Sequence, residues 1–114
     1  MAKYETRIKG NIDEFLKIAK QKILDGSISA SLEEESFYQD GDFRCAIVVF
    51  ERYSYTGKNR VSLTLVVIEK DEELFISAIT SGGSQALFIK INIFGEEAFL
   101  EKLVDIVEEY RINK

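Results

Sequence analysis

The stretch FRCAIVVFERYSYTGKNRVSLTLVVIEK, residues 43–70, has the composition of two long β-strands joined by a short turn. β-Branched and aromatic residues lie on both sides of TGKN, residues 56–59, and this stretch is typical of a hairpin turn. If TGKN is a simple turn, Ile47 and Val49 share one side of the hairpin with Val66 and Ile68. The alternate residues of both strands are also apolar, so the sequence predicts a sheet that is apolar on both faces.

A second hairpin is predicted around Gly82 and Gly83 in TSGGSQALFIKINIF, residues 80–94. A two-residue turn at these glycines pairs apolar residues with one another: Ala78 with Leu87, Ile76 with Ile89, and Leu74 with Ile91. A phosphate-binding loop would instead require a helix and a Lys-Ser or Lys-Thr pair after the glycines, and QALFIKINIF has strand character. We therefore expect a turn followed by a sixth strand.

Two segments have helical periodicity. Residues 12–23 place their apolar residues on one stripe, with Asn11 as N-cap and Gly26 as the stop. Residues 95–114 form a second amphipathic stripe made of Phe99, Leu103, Ile106, Val107 and Tyr110. Short alternating segments precede and follow the first helix. The predicted order is β-α-β-β-β-β-β-α: one α+β domain over residues 1–114, with an antiparallel meander of about six strands and two helices on one face.

Composition excludes several functions. The net charge of −5 lacks the basic excess that a general nucleic-acid binder requires, so we expect no nucleic-acid partner. The chain has no histidine and one cysteine, Cys45, which leaves little from which to build a transition-metal site or a histidine-based catalytic device, and we expect no cofactor. No apolar run is long enough to span a membrane, and the start lacks a signal-peptide core, so we expect a cytoplasmic protein without a membrane partner.

The turn end of the first hairpin combines tyrosines with positive charge. The candidate ligand or partner contacts are Arg52, Tyr53, Tyr55, Lys58 and Arg60. Tyrosine and arginine are enriched in binding hot spots, and the three cations could hold an anion. The alternative is a solvated strand end with ordinary cross-strand ion pairs.

Two helices cover only one face of a sheet, so the second apolar face needs another explanation. The candidate oligomer face consists of Ile47, Val49, Val66, Ile68, Phe75, Ile79 and Phe88. We expect a homo-oligomer, with a dimer favoured. Two alternatives remain: a curled sheet that grips the C-terminal helix around a ligand cavity, and hairpin registers that differ by one residue.

Three segments, DGSISASLE, RCAIVVFERYSYTGKNRVSLTL and LFISAITSGGSQALFIKINIFGEEAFLEKLV, resemble a family of small uncharacterised bacterial proteins, a domain of unknown function. The resemblance covers nearly the whole chain and implies a single-domain bacterial protein. It implies no activity, cofactor or catalytic residue.

Three functional hypotheses follow. The first is a non-enzymatic interaction module that self-associates through its sheet. The second is a helix-grip protein that binds an apolar or anionic small molecule between the sheet and the C-terminal helix. The third is an enzyme that uses Glu51, Arg52, Tyr53 or Tyr55, although no base, nucleophile and orienting group stand at a recognisable spacing.

Overall fold

The computed structural model describes residues 1–53, 60–82 and 89–113, with the side chains of residues 89–95 left out. It has a five-stranded antiparallel sheet and two helices, which confirms the α+β class. The elements are β1 (Ala2–Lys9), α1 (Ile12–Asp25), β2 (Ser31–Asp40), β3 (Phe43–Tyr53), β4 (Arg60–Lys70), β5 (Glu73–Gly82) and α2 (Ile89–Ile112).

The sheet has the order β1-β5-β4-β3-β2, so β4 is the central strand. Strands β2 to β5 form the meander, and β1 pairs with β5 at the far edge. Ile47 lies opposite Val66 and Val49 opposite Thr64, so Ile47, Val49, Val66 and Ile68 share one side of the sheet, while the predicted TGKN turn lies outside the described residues. This register decides which side chains share a face, because a shift of one residue would exchange the two faces.

The sheet has five strands rather than about six, because α2 begins at Ile89 where a strand was predicted. The predicted pairs Ile76–Ile89 and Leu74–Ile91 are wrong, since β1 and β4 occupy both sides of β5. Ile89, Ile91 and Ile93 alternate with Lys90 and Asn92, which is the period of a strand, but this local pattern did not decide the structure. The predicted partner Leu87, with Gly83, lies outside the described residues.

Both predicted helical stripes are confirmed, and they pack on the same side of the sheet. Asn11 caps α1 by accepting a hydrogen bond from the Glu14 amide at 3.0 Å. The buried residues of the two helices are Ile12, Phe15, Leu16, Ala19 and Ile23 in α1, and Phe99, Leu103, Ile106, Val107 and Tyr110 in α2. They meet a row of sheet residues with no exposed surface: Ala46, Val48, Phe50, Val61, Leu63, Leu65, Val67, Leu74, Ile76 and Ala78. We name this side of the sheet the covered face.

Three charged residues connect the start of α1 to the covered face, and we name them the polar clasp: Asp13, Arg44 and Glu69. Glu69 on β4 accepts a hydrogen bond from the Ile12 amide at 2.7 Å and is ion-paired with Arg44 on β3 at 3.1 Å. Arg44 also contacts Asp13 in the first turn of α1 at 2.7 Å. Hydrogen bonds to Asp13 and Glu69 raise the pKa of Arg44 above its ordinary value. The clasp satisfies a free amide at the helix start and anchors α1 to the sheet.

Candidate functional site

The side of the sheet that faces away from both helices is here named the open face. Strand pairing arranges it in three rows from β1 to β2: Arg7–Phe75–Ile68–Cys45–Tyr38, Glu5–Ser77–Val66–Ile47–Ser36 and Lys3–Ile79–Thr64–Val49–Glu34. Within the described ranges, no helix or strand packs over these rows. The open face therefore has apolar residues on its three inner strands and mostly polar residues at its two edges.

The apolar residues of the open face are much more accessible than their neighbours on the covered face. Ile47 is 42% exposed and Ile79 is 40% exposed. Their chain neighbours Val48 and Ala78, which point to the covered face, are completely buried. The remaining apolar residues of the open face, Val49, Val66, Ile68 and Phe75, are half-buried by their neighbours in the sheet. The structure thus brings together six of the seven residues of the candidate oligomer face, and Phe88 lies outside the described residues.

The two edges of the open face carry opposite charge. On β1 the outward residues are Lys3, Glu5, Arg7 and Lys9, a net positive edge. On β2 they are Glu34, Ser36, Tyr38 and Asp40, a net negative edge. Sequence reasoning did not select these residues as site residues. Their alternation was visible in the sequence, but the placement of β1 and β2 at opposite edges depends on long-range strand pairing.

The open face is large enough for a protein interface. Five strands at about 4.8 Å spacing and about eight residues at about 3.3 Å per residue give roughly 600 Å² in projection. A stable interface buries about 600–1,000 Å² on each partner, so the whole open face lies at the lower end of this range. The apolar part of this surface lies on β3, β4 and β5 and is interrupted by Ser77 and Thr64. Exposed apolar patches on small proteins usually mark interaction sites.

The candidate contacts at the end of β3 do not form one cluster. Arg52 lies on the covered face, and its guanidinium carbon stands 4.5 Å from the centre of the Phe99 ring of α2. Burial lowers the pKa of Arg52 below its ordinary value. Among the described residues, no carboxylate forms an ion pair with Arg52.

Tyr53 and Arg60 lie on the open face instead. Tyr53 is 51% exposed, and the Arg60 guanidinium lies 5.7 Å from its ring centre. Arg60 is also ion-paired with Glu51 at 3.2 Å and with Glu33 at 3.8 Å. Arg60 therefore already has anionic partners, and it stands on the opposite side of the sheet from Arg52. Tyr55 and Lys58 lie outside the described residues.

The space between the sheet and the described part of α2 is filled by packed side chains. Leu63, Leu65 and Ile76 on the sheet and Phe99 and Leu103 on the helix have 1% or less of their surface exposed. The clefts among the described residues lie elsewhere. One of about 460 Å³ separates α1 from α2, and one of about 470 Å³ lies between α1 and Phe37 of β2. This packing weighs against a helix-grip cavity beneath the described part of α2.

Acidic side chains do not converge on a metal site in the described ranges, where no group of three His, Cys, Asp or Glu residues could hold an ion. Neither helix, as far as the structure describes it, is long and apolar enough to cross a membrane.

The fold and the open face define the class of the protein: an α+β protein whose antiparallel sheet has one face covered by helices and one apolar face open. Residues 1–111 match a family of unknown function, DUF6054, and the chain belongs to this family. No curated protein and no solved structure matches the chain.

Proposed function

We propose that the protein is a non-enzymatic, cytoplasmic bacterial protein that self-associates through its open face and serves as an interaction module. The observation that carries the proposal is the open face itself, which exposes apolar residues of β3, β4 and β5 on a rigid sheet. Sheets that pack face to face interdigitate such side chains at about 10 Å separation. A second copy of the chain offers a surface of the same size and the same apolar character.

The energy available for a dimer would come from burial of the apolar side chains on the open face. Complete burial of a Val, Ile or Phe side chain stabilises by about 1.5–3 kcal/mol, and a half-buried one retains about half of that gain. Each copy contributes six such residues: Ile47, Val49, Val66, Ile68, Phe75 and Ile79. The gain from both copies exceeds the lower estimates, about 4 kcal/mol, of the freedom lost on association.

The test is the solution mass of the wild type and of Val66→Lys, measured by light scattering over a dilution series. Val66 is the centre of the middle row on the central strand, so a lysine there places a charge in the interface of each copy. We expect a dimeric wild type and a folded, monomeric variant. Gln21→Lys is the matched control, because it adds the same charge at an exposed position on α1 and should remain dimeric. A wild type that is monomeric at tens of micromolar would refute the proposal.

A second candidate function, binding of a small anion, is favoured by Arg52. A desolvated guanidinium normally pairs with a carboxylate, and none of the described residues supplies one. An anion at Arg52 would restore the missing charge balance while the Phe99 ring holds the guanidinium plane.

Inorganic phosphate is the probe for this second function. We expect millimolar phosphate to raise the melting temperature of the wild type more than that of Arg52→Met, which keeps the packing on Phe99 and removes the charge. Arg111→Met is the control, because Arg111 is exposed and paired with Glu108. Equal shifts in all three proteins would exclude an anion site at Arg52.

A further inference from the structure

We propose a specific arrangement for the dimer: a twofold axis parallel to the strands passes over β4, and the basic edge strand β1 of each copy covers the acidic edge strand β2 of the other. The inference rests on the proposed function and deepens it, because it assigns which residues of the second copy lie against which residues of the first. Charge complementarity between the two edges carries it.

Two twofold arrangements can bring the open faces of two copies together with their strands aligned. If the axis runs parallel to the strands, the order β1-β5-β4-β3-β2 of one copy lies over the reversed order of its partner. If the axis runs across the strands, every strand lies over its own counterpart. The first arrangement sets β1 against β2, and the second sets β1 against β1 and β2 against β2.

Only the first arrangement matches charges of opposite sign. Within its rows, Lys3 faces Glu34 of the partner subunit, and Glu5 faces the neutral Ser36 of the partner subunit. Arg7 faces Tyr38 of the partner subunit, whose ring can accept a cation. At the end of the sheet, Lys9 faces Asp40 of the partner subunit, and Lys70 of β4, in the same row, lies on the axis and meets its own counterpart. The second arrangement would instead place Lys3, Arg7 and Lys9 against the same basic edge, and like charges placed together cost several kcal/mol.

The apolar residues also fit the first arrangement. Val66 lies on the axis and meets its own counterpart. Ile79 lies over Val49 of the partner subunit, and Phe75 lies over Cys45 of the partner subunit. The two outer rows thus place an apolar residue of β5 against Val49 or Cys45 of β3, and the middle row places Ser77 against Ile47 of the partner subunit.

Sheet twist changes which residues face each other at the edges but keeps the edges opposite one another. Aligned sheets cross at about 30°, and at two strands from the axis this angle shifts facing residues by about 5 Å, which is less than two residues along a strand. The edge strand β1 therefore still covers β2. A shift of one row sets Arg7 over Asp40 of the partner subunit in one direction and Glu5 over Glu34 of the partner subunit in the other, while the net charges of the two edges remain opposite.

The four edge residues are available for such pairing. Lys3, Lys9, Glu34 and Asp40 are exposed, and none of them forms an ion pair with another described residue. Their reversal should therefore leave the folded monomer intact. An exposed pair stabilises by about 0.2–1 kcal/mol, and the twofold axis counts each pair twice.

The experiment uses three charge variants and sedimentation equilibrium, with circular dichroism to verify folding. The first double variant is Lys3→Glu/Lys9→Glu, and the second is Glu34→Lys/Asp40→Lys. Each double variant makes the two edges of one copy alike in charge. We expect each double variant to weaken dimerisation by about tenfold or more at low salt, and less at high salt. The quadruple variant that carries all four changes restores opposite edges and should dimerise within about threefold of the wild type.

A mixture of the wild type and the quadruple variant separates the two axes directly. With the axis parallel to the strands, a mixed dimer would place like charges on like charges, so the two proteins should form only their own homodimers. With the axis across the strands, the mixed dimer would be the favoured species. Predominance of mixed dimers, or double variants that dimerise as tightly as the wild type, would overturn the proposed arrangement.

Val66→Lys distinguishes this failure from failure of the proposed function. If Val66→Lys is monomeric while the edge variants have no effect, the open face is an interface with a different axis. If the wild type itself is monomeric, the self-association proposal fails, and the arrangement fails with it.

Discussion

The two faces of the sheet are built from the same strands with similar apolar residues, yet one face is buried and the other is partly exposed. On the covered face, Val48 and Leu65 have no exposed surface, because α1 and α2 pack over them. On the open face, their sequence neighbours Ile47 and Val66 remain accessible to different degrees. Hydrophobicity alone therefore does not locate the core of this protein. The core is located by which side of the sheet the two helices occupy, and the other side remains available for association.

The largest effect that tests this comparison comes from two adjacent residues of β4. Leu65→Ala should lower the free energy of unfolding by about 3 kcal/mol, because it opens a cavity in the covered face. Val66→Ala should lower the free energy of unfolding by less than about 1 kcal/mol at nanomolar protein concentration, where we expect the protein to be a monomer. Urea unfolding followed by fluorescence or circular dichroism measures both values. Equal losses in the two variants would mean that the open face is packed against something within the monomer.

The same pair becomes informative about association when the concentration is raised. At tens of micromolar the wild type should gain stability through dimer formation, and Val66→Ala should gain less. Leu65→Ala should keep the concentration dependence of the wild type, because its side chain points to the helices.

A smaller effect is expected from the clasp on the covered face. Glu69→Ala should lower the free energy of unfolding by about 2 kcal/mol. The substitution removes the hydrogen-bond acceptor of the Ile12 amide and one of the two carboxylates that are ion-paired with Arg44. Glu69→Gln should cost about 1 kcal/mol, since its amide oxygen still accepts from Ile12 while the charge is lost. Urea unfolding midpoints give both values.

The control for the clasp is Glu34→Gln on the open face. Glu34 is exposed and has no ion pair among the described residues, so its substitution should change the stability of the monomer by less than about 0.5 kcal/mol. If Glu34→Gln cost the monomer as much as Glu69→Gln, the two faces would not differ in the way that their burial indicates.

Much of this architecture was predictable from local pattern. The stripe of α1 with its Asn11 cap and the stripe at the end of α2 follow from helical periodicity. The side of the sheet on which each residue of β3 and β4 lies follows from alternation. The start of α2 was not predictable in this way, because Ile89, Ile91 and Ile93 alternate with Lys90 and Asn92, a period-two pattern that is typical of a strand. The edge position of β1 next to β5 is a long-range pairing that no local pattern encodes.

The site was predictable only in part, for the same physical reason. Alternation identified the open-face residues of β3, β4 and β5 because successive side chains of a strand point to opposite faces of the sheet. The opposite charges of β1 and β2 became meaningful only once the strand order placed them at the two edges. Arg52 and Arg60 were grouped by their closeness in sequence, but pairing across the hairpin sets them on opposite faces.

The smallest expected effect concerns the turn that fixes the register of β4 and β5, and with it the assignment of residues to faces. Asp71 and Glu72 form this two-residue turn with φ angles of 54° and 63°, a left-handed conformation that favours glycine. Glu72→Gly should therefore stabilise the protein by about 0.5–1 kcal/mol, as measured by the urea midpoint, because it relieves this strain. Glu73→Gly is the matched control: Glu73 pairs with Lys70 and Lys9 in extended backbone, so glycine there should destabilise by about the same amount. If both glycines destabilised the protein, the turn would not be strained at Glu72, and the register would depend on side-chain packing of the covered face instead.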